Sequence, residues 1–155
     1  MAISIKKITE HIGAEIYCDV HLRELPERDF VDIKKAFDEY SVLVFRGQPL
    51  LDGDQINFSE RFGSLETTVN SNPEGGGTVM TVLSNVDQQN KVIPPEDKRM
   101  VFNTGNQMWH TDSSFKRVPA LMSLLSGREV PSIGGETQFA SMRAAYDSLA
   151  DQKKM

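Results

Sequence analysis

The chain has 155 residues, of which 39% are hydrophobic and 25% charged, so it has the size of one globular domain and can bury a hydrophobic core. Its formal charge of −5, its pI near 5.2 and its scattered Lys and Arg residues argue against a nucleic-acid or anionic-membrane surface, because either needs a clustered basic face. No apolar run approaches the ~20 residues of a spanning helix, and no basic start precedes an apolar stretch, so we expect an unexported, cytoplasmic protein.

The first part of the chain predicts two short strands, a helix and a third strand. Apolar and polar residues alternate from Ile3 to Ile8, and β-prone residues run from Ala14 to Tyr17, which predicts a strand pair. A helix follows with Pro26 in its first turn, and its apolar stripe predicts a core-facing side: Phe30, Ile33, Phe37 and Tyr40. The short apolar run from Val42 to Phe45 predicts a buried strand.

The rest of the chain predicts fewer regular elements. A second short helix is expected from Asp52 to Phe62, followed by a loop-rich stretch from Glu66 to Gly105. Within and after that stretch, the β-prone runs from Thr78 to Leu83 and from Ala120 to Leu125 are strand candidates. A closing helix is predicted near the end, with Ser141 as its N-cap.

The most informative stretch is Trp109-His110-Thr111-Asp112. If this segment is extended, alternate side chains share a face, so His110 and Asp112 point to the same side. An imidazole and a carboxylate are two of the three ligands in the 2-His-1-carboxylate triad that holds non-haem iron. The pair alone is a weak signal, because a polar pair at a strand end is the commoner explanation of His-x-Asp.

Longer motifs accompany this pair along the chain: Gly13-Ala14-Glu15-Ile16, Ser41-Val42-Leu43-Val44-Phe45-Arg46-Gly47-Gln48, Arg61-Phe62-Gly63, Asn106 to Phe115, and Gly134-Gly135-Glu136-Thr137-Gln138-Phe139. Together they resemble the TauD/TfdA family of iron(II)- and 2-oxoglutarate-dependent dioxygenases, in particular its 2,4-dichlorophenoxyacetate dioxygenase branch. The resemblance covers nearly the whole chain, and only the first half of a typical family member.

The resemblance implies a mainly β fold with flanking helices (α+β). It would be a partial double-stranded β-helix, or jelly roll, with its C-terminal half missing. Residues 1–155 would form the N-terminal part of a single TauD/TfdA-like dioxygenase domain. Family members carry the second iron-binding His and an Arg for 2-oxoglutarate in that C-terminal half, and this chain has no His after His110. His11 and His21 lie where the family has no ligand, so we expect them to be surface or structural residues.

The implied activity is that of a dioxygenase that hydroxylates a small organic acid, such as a sulfonate or an aryloxyalkanoate, while 2-oxoglutarate is decarboxylated to succinate. Its cofactor would be Fe(II), its cosubstrate 2-oxoglutarate, and its other partners O2 and an anionic small molecule, with no nucleic acid and no membrane. His110 and Asp112 would bind the iron. Thr137 and Asn106 would contact the cosubstrate, and Ser113 the substrate.

Neighbouring residues receive supporting roles from the same resemblance. Trp109 and Phe115 are expected to pack behind the metal strand, and Gly134-Gly135 to turn the chain before Thr137. Some relatives present a basic or His residue after the Arg-Phe-Gly motif, whereas this chain has Thr67-Thr68-Val69-Asn70-Ser71 there. An anionic substrate would then be held by uncharged donors or by groups from the missing half.

Other functional classes fit less well or remain open. The sequence has no Gly-x-Ser-x-Gly elbow, no His-Glu-x-x-His, no cysteine pair, and no Lys-Ser/Thr after Gly75-Gly76-Gly77, which argues against a serine hydrolase, a zinc hydrolase and a phosphate loop. The single cysteine, Cys18, is more typical of a small buried residue than of a nucleophile. Two alternatives stay open. The chain could be a truncated, catalytically inactive relative that binds metal weakly or not at all, or a homo-oligomer in which two copies complete a site.

Overall fold

The computed structural model describes residues 3–69 and 76–154. They belong to two compact units, one comprising Met1–Phe58 and Ser126–Met155 and the other Ser59–Leu125. Membership of all 155 residues in one domain therefore stays a prediction.

The first unit contains a three-stranded sheet made of β1 (Ile3–Lys7), β2 (Ala14–Cys18) and β3 (Leu43–Phe45), in that order. β1 and β2 pair antiparallel, and β2 and β3 pair parallel, so that Ile16 lies opposite Ile5 on one side and opposite Phe45 on the other. The strand pair expected from the alternating pattern is present.

The helix α1 (Glu27–Tyr40) connects β2 to β3 and covers part of the sheet. Its apolar stripe faces inward as the periodicity predicts: Phe30 and Ile33 are buried, and Phe37 is half-buried. The helix ends at Ser41, which has a left-handed backbone (φ 62°) and donates its N–H to the Phe37 carbonyl at 2.8 Å. This left-handed cap turns the chain directly into β3.

The core of the first unit is closed by one residue of α2 (Asp52–Glu60). The Phe58 ring packs edge-to-face on Phe30 at a centroid distance of 6.1 Å and on Phe45 at 6.2 Å. β3 was expected to be a buried strand, but all three of its residues are only half-buried. Among the described residues, β2 alone pairs with β3, so its second edge lies open.

The second unit contains α3 (Lys98–Thr104), followed directly by a 3₁₀ turn at Gly105–Gln107. α3 was not among the elements expected from the sequence. Asp97 caps it by accepting the Arg99 N–H at 2.9 Å. Ile93, which is 3% exposed, is the buried hydrophobic side chain of this unit within the described residues.

The expected strands from Thr78 to Leu83 and from Ala120 to Leu125 are absent, because both segments are irregular. A strand is stable only as part of a sheet, and neither segment belongs to the three-stranded sheet of the described residues. The expected mainly β content is therefore not observed in these residues. They form a small sheet accompanied by helices, which is an α+β arrangement.

The last regular helix, α4 (Met142–Asp147), returns to the first unit. Ser141 caps it as predicted, since its Oγ accepts the Ala144 N–H at 3.2 Å. A 3₁₀ turn at Asp151–Lys153 follows. Within residues 3–69 and 76–154, no helix combines the length and the apolar character needed to cross a membrane.

Candidate metal centre

The candidate ligands lie on an irregular segment of the second unit, which corrects the expectation of a strand. The 3₁₀ turn Gly105–Gln107 ends at Met108, whose backbone is extended and whose N–H donates to the Gly105 carbonyl at 3.1 Å. The chain stays irregular through His110 and enters a turn at Asp112, and Ser113 has a left-handed backbone with φ 56°. The segment does not belong to the sheet that the described strands form.

The two side chains nevertheless converge. Nε2 of His110 lies 3.2 Å from Oδ1 of Asp112, and both side chains are about half exposed, at 46% and 59%. The one-residue spacing therefore brings an imidazole nitrogen and a carboxylate oxygen together even without a strand. The two side chains do not diverge, so their arrangement does not exclude a shared metal ion.

The main chain sets the tautomer of His110. Its Nδ1 lies 2.7 Å from the Met108 carbonyl oxygen. A carbonyl oxygen can only accept a hydrogen bond, so Nδ1 carries a proton and donates it, and Nε2 is the nitrogen directed at Asp112. Imidazoles that bind metals are commonly held in this way, by a hydrogen bond from the nitrogen that does not bind.

The second oxygen of Asp112 is also engaged. Ser123 donates its hydroxyl to Oδ2 of Asp112 at 2.7 Å. Ser123 could not be predicted from the sequence, because a contact between residues 11 positions apart on an irregular segment leaves no periodic signal. Oδ1 is thus the oxygen directed at His110.

Ser113, the predicted substrate residue, lies beside these ligands and donates its hydroxyl to Oε1 of Glu66 at 2.6 Å. Lys116 Nζ lies 2.7 Å from the same oxygen and also donates to the Thr67 carbonyl at 3.1 Å. The hydrogen bond from Lys116, and then that from Ser113, hold the pKa of Glu66 below its ordinary value. These bonds tie the turn after Asp112 to residues 66 and 67.

The predicted cosubstrate residues lie in different units. Asn106 is exposed on the 3₁₀ turn of the second unit, close in sequence to the ligands, and Thr137 is exposed on an irregular segment of the first unit. Gly134 and Gly135, with φ of 81° and 75°, do turn the chain before Thr137. In the predicted substrate stretch, Asn70 and Ser71 lie outside the described residues.

Trp109 and Phe115 do not support the ligands by core packing, which corrects their expected role. Their side chains are 70% and 75% exposed. Large apolar side chains pack only where a second apolar surface faces them, and the described part of the second unit offers none at these positions. The segment that carries His110 and Asp112 is held by hydrogen bonds instead.

The two other histidines and the cysteine do not form a ligand pair like that of His110 and Asp112. His11 is exposed, with Nε2 3.9 Å from a Glu10 carboxylate oxygen, and His21 accepts the Arg23 N–H at 3.4 Å, as surface or structural histidines do. Cys18 is half-buried, and burial raises the pKa of its thiol, which disfavours the reactive thiolate. Among residues 3–69 and 76–154, no three His, Cys, Asp or Glu side chains cluster as metal ligands.

Similarity to known proteins extends along almost the whole chain. Residues 4–154 match the model of the family described as "Taurine catabolism dioxygenase TauD, TfdA family". The chain is 44% identical over 136 residues to an alpha-ketoglutarate-dependent 2,4-dichlorophenoxyacetate dioxygenase from Cupriavidus pinatubonensis, covering 84% of this chain and 47% of that protein. It is 37% identical over 155 residues to an (S)-phenoxypropionate/alpha-ketoglutarate-dioxygenase from Sphingobium herbicidovorans, covering 99% and 50%.

Two solved structures also resemble this chain over almost its full length. A crystal structure of AAD-2 in complex with Mn(II) and N-oxalylglycine superposes with a TM-score of 0.83 at 36% identity, over 99% of this chain and 52% of that chain. A taurine dioxygenase from Burkholderia xenovorans superposes with a TM-score of 0.70 at 28% identity, over 99% and 50%. The chain spans about half the length of the curated relatives that it matches.

Proposed function

The chain belongs to the TauD/TfdA family, and from that premise we propose that it forms the N-terminal part of an Fe(II)- and 2-oxoglutarate-dependent dioxygenase. The proposed enzyme hydroxylates a small organic acid. In this proposal the described sheet and helices are part of a jelly roll that is completed by a second half of the kind found in the longer relatives. The open edge of β3 supports this proposal, because strands of a closed fold are paired on both edges.

The approach of His110 to Asp112 carries the proposal. Two ligand atoms that each lie ~2.1 Å from a metal ion, at a right angle to one another, are separated by ~3 Å. The observed 3.2 Å between Nε2 and Oδ1 fits that separation. The donors are also the nitrogen and oxygen types that ferrous iron takes in the 2-His-1-carboxylate triad.

Electrostatics favours a cation at this point. A neutral His110 with its proton on Nδ1 would direct a lone pair at a carboxylate oxygen, and two such acceptors repel one another at this distance. A metal ion between them removes the repulsion, and so does a second proton on the imidazole, which gives an ion pair. The two cases are distinguished by whether a divalent metal ion binds between His110 and Asp112.

The proposed enzyme needs further ligands beyond this pair. No described third ligand is present, and we propose that the second histidine comes from the half that the longer relatives possess. When bound, iron with 2-oxoglutarate supplies the oxidising chemistry of the family. The chain contributes two ligands, a fixed tautomer, and, in our proposal, Thr137 and Asn106 as contacts for the cosubstrate.

The relatives named for phenoxyalkanoate and sulfonate substrates suggest the substrate class. We propose a small carboxylate or sulfonate, with Ser113 beside it. Lys116 is the cation next to Ser113, but Glu66 neutralises it at 2.7 Å. The charge that receives an anionic substrate is therefore proposed to come from outside this cluster.

A catalytically inactive relative that binds metal weakly or not at all is the second candidate, and it is favoured by the exposure of Trp109 and Phe115 beside the ligand pair. Anaerobic titration with Fe(II) and 2-oxoglutarate separates the candidates. For the dioxygenase we expect Fe(II) binding to the chain that His110→Ala removes and that His11→Ala, at an exposed histidine in the first unit, leaves unchanged. A polypeptide extended to family length should develop a visible charge-transfer band and release succinate with an acid substrate.

Three results would count against the dioxygenase. The first is identical Fe(II) binding by His110→Ala and the parent chain. The second is a coding sequence that continues without a distal His and Arg. The third is iron bound at one per two chains with a charge-transfer band from the 155 residues alone, which would instead support a site completed by self-association.

A further inference from the structure

Ser123 makes a contact with the candidate metal centre that is independent of the His-x-Asp motif. Its hydroxyl lies 2.7 Å from Oδ2 of Asp112, and both residues lie in the second unit. A carboxylate only accepts hydrogen bonds, so Ser123 is the donor. Bonds of this type, from a neutral donor to a charged acceptor, are shorter and stronger than those between neutral groups.

This bond determines which oxygen of Asp112 faces His110. The terminal torsion of an aspartate is broad and roughly two-fold, so a half-exposed carboxylate rotates unless a partner holds it. Ser123 engages Oδ2, and Oδ1 is left 3.2 Å from Nε2 of His110. A carboxylate held in this way offers one oxygen to a metal rather than both.

Resting on the proposed function, we propose that Ser123 is a positioning residue for the metal ligand Asp112, holding its carboxylate in a one-oxygen orientation towards the ion. It acts on the carboxylate side of the site as the Met108 carbonyl acts on the imidazole side. Both ligands then arrive at the metal already oriented, one by a side chain and one by the main chain.

A neighbouring serine provides a matched control. Ser114 donates its hydroxyl to the Thr111 carbonyl at 3.3 Å, and it is exposed and close in sequence to Asp112. Removal of its hydroxyl therefore perturbs the same turn without touching the carboxylate. At position 123, Thr keeps a hydroxyl, whereas Val has nearly the same shape without one.

The test uses Mn(II) as the probe and the 155-residue chain as the protein, with bound metal measured from the loss of the free Mn(II) EPR signal. Ser123→Ala and Ser123→Val should weaken Mn(II) binding about tenfold, the lower end of the range for such supporting partners, because water reaches the half-exposed Asp112. Ser123→Thr and Ser114→Ala should retain the parent affinity. Circular dichroism of each variant shows whether the fold is kept.

The outcomes separate this inference from the function on which it rests. Equal Mn(II) affinity of the Thr and Val variants at position 123 overturns the positioning role, and so does an equal loss in Ser114→Ala. If His110→Ala binds Mn(II) as the parent chain does, the pair is no metal site, and both the proposed function and this inference fail. A selective loss in the Val and Ala variants, with both controls intact, supports the role.

Discussion

Phe58 is the single buried residue of α2 and packs into the core of the first unit. It is 4% exposed and contacts the rings of Phe30 and Phe45 at centroid distances of 6.1 and 6.2 Å. We expect Phe58→Ala to lower the free energy of unfolding by about 4 kcal/mol, within the range for replacing a buried aromatic residue by alanine. That value includes the two edge-to-face contacts, each worth about 0.5–1.5 kcal/mol.

The measurement is urea unfolding followed by far-UV circular dichroism, which reports the helices. Phe139→Ala is the matched control, because it deletes the same ring in the same unit at a position that is 54% exposed. We expect that variant to change the free energy of unfolding by no more than about 1 kcal/mol. Equal losses for the two variants would refute the assignment of Phe58 to the core.

Two further predictions concern backbone conformation and acid stability. Gly134→Ala should destabilise the protein by about 1–2 kcal/mol, because its φ of 81° is left-handed. Gly53→Ala, in the first turn of α2 where the added methyl group meets open space, should stabilise it by about 0.4–1 kcal/mol, and the same sign for both variants in urea unfolding would contradict this explanation. The pKa of Asp97 is lowered from 3.8 to about 2, mainly by the Arg99 side chain, so its contribution to stability is present above 3.8 and is lost as the pH falls towards 2. Asp97→Asn keeps a capping oxygen but removes the charge, so the urea midpoint of that variant should depend less on pH in this window, and an unchanged pH dependence would be the contrary result.

The parts of the fold that could be predicted are those specified locally. The apolar stripe of α1 and the alternation in β1 lie within single segments, and each repeats at the period of its own secondary structure. The Ser141 cap likewise depends on a residue three positions away. These features need no knowledge of the rest of the chain.

The parts that could not be predicted depend on distant partners. The run from Ala120 to Leu125 has strand composition, but composition supplies no neighbouring strand, and the segment is irregular. α3 was missed because its seven residues follow a polar, proline-containing stretch, where the capping signal of Asp97 is one residue among many.

The candidate site likewise contains residues that could be predicted from nearby sequence and residues that could not. His110 and Asp112 were predicted from their close spacing together with the motifs that flank them, since the pair alone is a weak signal. Ser123 and Glu66 were not found, because they lie 11 and 47 residues from their partners in the chain. Only folding reveals such contacts.

The hydrogen bond from His110 to the Met108 carbonyl has a consequence for how the site tolerates substitution. Every amino acid has a backbone carbonyl, so any residue at position 108 except proline, which lacks the N–H that bonds to Gly105, supplies the same acceptor. The imidazole orientation is therefore encoded in the path of the backbone rather than in a side chain. A change that bends the chain at the Gly105–Gln107 turn would disturb it more than a replacement of the methionine side chain.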